Sequence, residues 1–301
     1  WPLYFFMILI APLLSYFFLE QSPGYFCHFV FAGNFDLIEQ GGKSIATDHL
    51  WSICIEEHFY LFCPLLIVFV PIKRLPQVLL GVIFASILFR AYVSFQPGDY
   101  GKVLYLHTLS RIDVLALGSL FGYLYYHRKI KFNHPLPVRI MAYTTFLLVF
   151  IFTDYAECGN LFDSTIKKYF FVLIAAYWAG NFLFNPDARL AVTKPNLLHR
   201  FGKVSYGIYM LNPVVIFLVL KLFIALHWQS FFVYVLLVNA LLFAVTFLSY
   251  RYLELPFLAL KEKYSVIKSG EAINEPVVET AEEEGELATQ KIIPIGRINS
   301  R

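Results

Sequence analysis

Charge and cysteine are the two things this 301-residue chain has least of. Asp, Glu, Lys and Arg together make up 15% of the residues, whereas soluble domains carry roughly 25%. That shortage excludes a single water-soluble core. The four cysteines, Cys27, Cys54, Cys63 and Cys158, show no CxxC spacing, which excludes a cysteine-based metal cluster, and no metal is expected. No run alternates polar and apolar residues as barrel strands do. A glycine-rich phosphate loop, an internal repeat and a basic stripe interleaved with aromatics are also missing, so nucleic acid is not an expected partner.

What the chain has instead is apolar surface: 58% of its residues are hydrophobic and 19% aromatic. A bilayer core of about 30 Å takes roughly 20 mostly apolar helical residues per crossing. Eight runs of that kind occur, over residues 2–18, 52–70, 78–94, 112–126, 138–153, 169–184, 206–225 and 231–250. Each satisfies its backbone polar groups in lipid only as a helix. The expected fold is therefore all-α, a polytopic transmembrane bundle with a lipid bilayer as its first partner.

The formal net charge of +3 is unevenly spread. Lys73 and Arg74 follow the second run; Arg128, Lys129 and Lys131 the fourth; Arg189, Lys194, Arg200 and Lys203 the sixth; Arg251, Lys261 and Lys263 the eighth. Simple alternation puts all four groups on one side, and the bias of Lys and Arg makes that side cytoplasmic, with the C-terminus. Lys167 and Lys168 are the exception. The aromatic stretch 25–35 is too short to cross and reads as interfacial or re-entrant. The bundle is expected to occupy residues 1–264, followed over 265–301 by a disordered acidic tail containing Glu282, Glu283, Glu284 and Glu286.

Ionisable groups in membrane spans are costly, so they mark candidate sites. In His49-Leu50-Trp51-Ser52-Ile53-Cys54-Ile55-Glu56-Glu57-His58-Phe59-Tyr60, two adjacent carboxylates enter an apolar helix at its predicted outer end. At 100° per residue, Ser52, Glu56, Tyr60 and Cys63 share one face while Glu57 looks to a neighbouring one. Such a pair suits proton transfer to or from a hydroxyl; a partly wet ion-pair network is the structural alternative. Arg111 and Asp113 open the fourth run, where the Arg suits either neutralising a carboxylate or holding an anionic group. Gly118 and Gly122 form a small-xxx-small pair, read as a close helix contact. His107, His134, His199 and His227 sit at run ends or in loops and read as interfacial polar residues. Cys27 and Cys158 both fall on the predicted outer side, where a disulfide between them is an alternative.

At these residues the sequence resembles the acyltransferase-3 family of integral-membrane acyltransferases. Trp1-Pro2-Leu3-Tyr4 is similar to the start of one of its helices. The block His49 to Pro64 resembles its His-x-Trp-Ser-x-x-x-Glu-Glu-x-Phe-Tyr signature, and Arg111, Asp113, Leu115 and Gly118 its Arg-x-Asp-x-Leu-x-x-Gly element. Gly202-Lys203-Val204-Ser205-Tyr206-Gly207-Ile208-Tyr209 and Glu254-Leu255-Pro256-Phe257 resemble its closing elements. The resemblance implies transfer of an acyl group, usually acetyl, from acyl-CoA to a hydroxyl of a carbohydrate beyond the membrane. Acyl-CoA is then a donor substrate, and no bound cofactor is implied.

On that footing Glu56 and Glu57 are expected to position the acceptor or handle its proton, with Arg111 and Asp113 in an ion-pair network that holds them. His49 joins them as a hydrogen-bonding candidate, and Ser52, Tyr60, Tyr209 and Asn212 are expected to contact substrate. The family has His where this chain has Asn212, followed at once by Pro213. Its first helix, with an Arg and the His expected as general base, would precede Trp1. The resemblance thus implies a chain without its natural N-terminus, about ten spans in the whole protein, and no activity in this portion alone. A transporter and a non-catalytic partner in polysaccharide assembly are the alternative readings.

Overall fold

The computed structural model describes residues 1–18, 24–98, 100–127, 129–130, 134–152, 165, 167–184 and 197–264. Arg128, Lys131, Arg189, Lys194, Cys158, most of the loop after residue 152 and the acidic tail fall outside them. Among the described residues there are helices and no strand. They run as α1 Pro2–Phe18, α2 Tyr25–Phe29, α3 Gly33–Gln40, α4 Trp51–Phe69, α5 Leu75–Ser94, α6 Gly101–Leu106, α7 Thr108–Tyr126, α8 Leu136–Phe152, α9 Lys168–Phe184, α10 Leu197–Ala225, α11 Phe231–Ser249 and α12 Leu255–Tyr264. All eight apolar runs lie in helices. Five helical stretches are long and apolar enough to cross a membrane, Asp48–Phe69, Ile72–Ser94, Gly101–Tyr126, Phe201–Ala225 and Phe231–Lys261, and Pro2–Phe17 and Leu136–Leu148 are shorter apolar helices. The chain divides by internal packing after Phe257, seven residues before the division expected from composition.

Burial is inverted relative to a soluble protein, as a lipid-facing bundle requires. Phe69, Val68, Phe84, Phe231 and Phe232 are exposed, while Arg90, Asp113 and Asn34 have no exposure at all. Pro12, Pro64 and Pro213 sit inside α1, α4 and α10, which transmembrane helices tolerate because neighbouring groups and local adjustments re-satisfy the freed carbonyls.

Two packing groups meet at α4. One gathers Leu3, Tyr4 and Met7 of α1, Met210, Val214 and Val215 of α10, and Val238 and Leu242 of α11 around Leu50 and Ile53. The other closes Phe59 of α4 on Leu79 of α5 and Ala116 of α7. Residues 52–57 lie between these two attachments, which fixes their direction. Gly207 of α10 is where α11 comes closest: a Cβ there would stand 2.8 Å from Thr246 Cγ2 and 3.2 Å from Glu254 Oε1. Gly118 and Gly122 behave oppositely. A Cβ on either meets nothing within 4 Å, so the small-xxx-small spacing does not mark a close helix contact here.

The stretch 25–50 is broken into α2, α3 and the 3-10 turn Asp48–Leu50, each too short to cross a bilayer. Beside Ala46 and Leu50 it buries five polar side chains, His28, Asn34, Asp36, Ser44 and Thr47. Asn34 Nδ2 donates to Leu106 O at 3.2 Å and Thr108 Oγ1 at 3.0 Å, tying the segment to the α6–α7 corner. Burial pushes the His28 imidazole down from its ordinary value, against the opposing pull of Asp36. Cys27 carries a free thiol, as do Cys54 and Cys63.

Candidate active site

The first turns of α4 meet the middle of α10. His49 Nε2 lies 3.1 Å from Met210 O, and a carbonyl only accepts, so Nε2 carries the hydrogen. Tyr209 OH donates to His49 O. Having spent its one hydrogen, that phenol accepts from Ser52 Oγ at 2.7 Å. His49, Ser52 and Tyr209 are thereby committed to one another. They are a clamp between α4 and α10 rather than free substrate donors.

This clamp sets the depth of the site. Tyr209 stands about 24 Å along the helix axis from Ala225, at 1.5 Å per residue. The first turn of α4 therefore meets α10 near its middle.

Glu56 and Glu57 follow one turn deeper and differ in surroundings. Glu57 Oε1 accepts from Trp1 Nε1 at 2.7 Å. Glu56 is exposed and, among the described residues, makes no ion pair or side-chain hydrogen bond. Tyr60, on the same face, is 56% exposed. A carboxylate left exposed on a spanning helix faces a wet crevice or another protein surface rather than hydrocarbon. Asn212 is half-buried one turn beyond Tyr209 and, among the described residues, makes no side-chain hydrogen bond.

Arg111 and Asp113 part company. Residues two apart on a helix point about 200° away from each other, so one ion pair cannot use both. Asp113, with no exposure, receives Arg90 Nη1 at 2.8 Å, Lys168 Nζ at 2.9 Å on both oxygens and Tyr169 OH at 2.5 Å. The same two cations donate to Ser110 O, at 2.8 and 2.9 Å. The expected network around the glutamates is in fact a structural pin joining α5, α7 and α9. Lys168, which broke the loop-charge pattern, is explained by it, since its ammonium is buried on Asp113. Arg111 turns the other way, donating from Nε to Tyr105 O at 2.8 Å, with its guanidinium 4.5 Å from the Tyr105 ring centroid and 5.8 Å from that of Trp51.

A family model described as an acyltransferase domain matches residues 1–251. The chain belongs to the acyltransferase-3 family. Curated relatives include a Staphylococcus aureus (strain COL) protein named "Putative O-acetyltransferase SACOL0978", 25% identical over 228 residues, which cover 69% of this chain and 36% of that protein. The O-acetyltransferase OatA of Staphylococcus aureus (strain NCTC 8325 / PS 47) is 26% identical over 231 residues, 69% of this chain and 35% of its own length. The chain thus matches about a third of the length of these relatives. No solved structure matches it. As a multi-pass member of this family, the chain carries its Glu-Glu signature at the junction of the two packing groups.

Several residues of this acyltransferase-3 chain that shape the site were not singled out from sequence. Arg90 is a lone charge in the middle of the run 78–94, and the rule that intramembrane charges are paired points to it. Trp1 and Glu254 stood in stretches that resemble the family, but without a role; only the tertiary fold brings Trp1 to Glu57 and Glu254 to Gly207. His107 is a cap: its Nδ1 accepts Leu109 N at 3.1 Å while the ring stacks on Phe89. His134 packs against Tyr177, and His227 takes a left-handed φ of 54° in the α10–α11 hairpin. Among the described residues no group of His, Cys, Asp and Glu is arranged to hold a metal ion.

Proposed function

We propose that the whole protein is a membrane-bound O-acyltransferase that moves an acetyl group from acetyl-CoA to a hydroxyl of a cell-surface polysaccharide or lipopolysaccharide. The observation that carries this reading is Glu56, a carboxylate without a partner among the described residues, one turn beyond the α4–α10 clamp and within the matched residues 1–251. The names of the relatives support the acetyl group and the oxygen acceptor. The basic residues Lys73, Arg74, Lys203 and Arg251 face the cytoplasm in this reading, where they meet the phosphates of the donor.

In the reaction, the acceptor hydroxyl oxygen attacks the thioester carbon. A new C–O bond forms, the C–S bond breaks, and the thiolate leaves with coenzyme A. The hydroxyl proton must pass to a base, and Glu56 is the group of this chain placed to take or relay it. Glu57, held by Trp1, fixes the adjoining face of α4. His49, Ser52 and Tyr209 act as positioning residues because the hydrogens of His49 Nε2, Ser52 Oγ and Tyr209 OH are spent on the α4–α10 clamp. Tyr60 and Asn212 remain available to contact substrate.

The test compares glycan O-acetylation in cells carrying the complete protein, as wild type, Glu56→Gln or Glu57→Gln. The expected result is loss of acetylation of about 100-fold or more for Glu56→Gln, in the range typical of removing a general acid or base, with normal membrane levels. Unchanged acetylation at normal levels overturns the role given to Glu56.

A further inference from the structure

Arg111 has an unusual combination of features for an arginine in a membrane bundle. Its Nε is fixed on Tyr105 O at 2.8 Å, its plane is held against two aromatic rings, and among the described residues it has no carboxylate partner. The neighbouring acid, Asp113, is fully engaged by Arg90 and Lys168. The two Nη groups, four of the five N–H donors of a guanidinium, are therefore unspent. The rings that hold it, Trp51 and Tyr105, are themselves in contact, with centroids 5.0 Å apart at 53°. Tyr105 is 43% exposed and Arg111 half-buried, so the platform is reachable. Trp51 precedes Ser52 directly in the chain, which places the platform within one helical turn of the clamp.

We propose that Trp51, Tyr105 and Arg111 form an acceptor subsite for a sugar ring bearing an anionic group. The aromatic faces take the apolar face of the ring, and the Nη fork takes a carboxylate or phosphate oxygen pair. A sugar unit bound there presents a hydroxyl toward Ser52 and Glu56. A purely structural arginine would spend its fork on protein acceptors, as Arg90 does with Ser110 O, Asp113 and Tyr169 OH. The donor's diphosphate is the rival anion. The platform lies at the α6–α7 corner and the start of α4, and the acetyl-CoA readout of the test below separates the two anions. The inference rests on the acyl-transfer reading above and names the chemistry of its acceptor.

The experiment measures acetyl transfer by membranes containing the complete protein, as wild type, Arg111→Gln, Arg111→Lys and Trp51→Phe. Acceptors are a hexuronic acid oligosaccharide, the same oligosaccharide methyl-esterified, and a phosphorylated hexose oligosaccharide. Loss of a charge-assisted fork is worth about 10- to 150-fold, so Arg111→Gln is expected to raise KM by that factor for the carboxylate acceptor, the phosphorylated acceptor or both. Which of them responds identifies the anion. For the esterified acceptor the change is expected to stay within about threefold, with KM for acetyl-CoA unmoved. Arg111→Lys, which keeps the charge but not the fork, is expected to recover part of the loss. Equal losses on charged and esterified acceptors, or a raised KM for acetyl-CoA, overturn the subsite. If wild type transfers acetyl to none of these glycans nor to native cell-surface glycan, the acyl-transfer reading itself fails.

Discussion

Replacing Asp113 with Asn should destabilise the bundle more than any change at the glutamates, because it leaves two buried cations without a counter-charge. Asp113 and Arg90 have no exposed side-chain surface, and Lys168 has 10%. Asn keeps the shape and one acceptor oxygen, but it turns an NH₂ toward groups that are already donors: Arg90 Nη1, Lys168 Nζ and Tyr169 OH. Breaking a buried ion pair by removing one partner costs about 3–5 kcal/mol, a large part of the roughly 5–15 kcal/mol that holds a typical fold. At about 2–4 °C per kcal/mol for a chain of this size, the apparent Tm should fall by about 6–20 °C. Size-exclusion chromatography of detergent-solubilised protein after stepped heating reads that shift. Asp113→Asn combined with Lys168→Met should recover part of it, since one orphan cation is then gone. Arg111→Gln, which breaks no ion pair, should move Tm by less than about 2 °C. A drop below about 2 °C for Asp113→Asn, or an equal drop for Arg111→Gln, would refute the assignment of Asp113 to the α5–α7–α9 pin.

Two further stability tests follow from packing and protonation. Gly207→Ala puts a Cβ against Thr246 Cγ2 and should cost about 1–3 kcal/mol by overpacking, whereas Gly122→Ala, facing open space, should be neutral or stabilising by up to about 1 kcal/mol; paired thermal melts decide, and equal effects contradict the contact. His28 is held neutral by burial, so its folded pKa lies below its unfolded value of about 6.5. The unfolded state then binds more protons between the two values, and stability that is whole above pH 6.5 is lost as pH falls through it. Wild type should therefore lose more Tm than His28→Gln between pH 7.5 and 5.5, and parallel losses in the two proteins would argue against it.

The all-α fold was legible because eight apolar runs leave the backbone no other solution in lipid, and each run is helical. That 25–35 is too short to cross was legible from length alone. Nothing local, by contrast, says that the first turn of α4 meets α10 near its middle. Asp113 stood out as a charge in a span, but its partner was misassigned. Sequence adjacency favoured Arg111, while helix geometry turns the two apart and brings in Arg90 and Lys168 from other helices. The glycines at 118 and 122 mislead for a related reason. Spacing shows that small residues share a face, not that another helix lies against it, and here the close contact belongs to Gly207. The signature from His49 to Tyr60 holds residues of two kinds. Only the fold separates its clamp residues, which are hydrogen-bonded to one another, from Glu56, which is free to act.

The central claim is that this carboxylate serves acyl transfer, and one measurement addresses it directly. Complete protein is reconstituted into sealed vesicles, with radiolabelled acetyl-CoA on one side and the glycan acceptor on the other. The account predicts labelled O-acetyl glycan with wild type and at least about 100-fold less with Glu56→Gln at equal incorporation. Label that crosses the membrane without becoming esterified to glycan, or esterification that Glu56→Gln leaves intact, would contradict it.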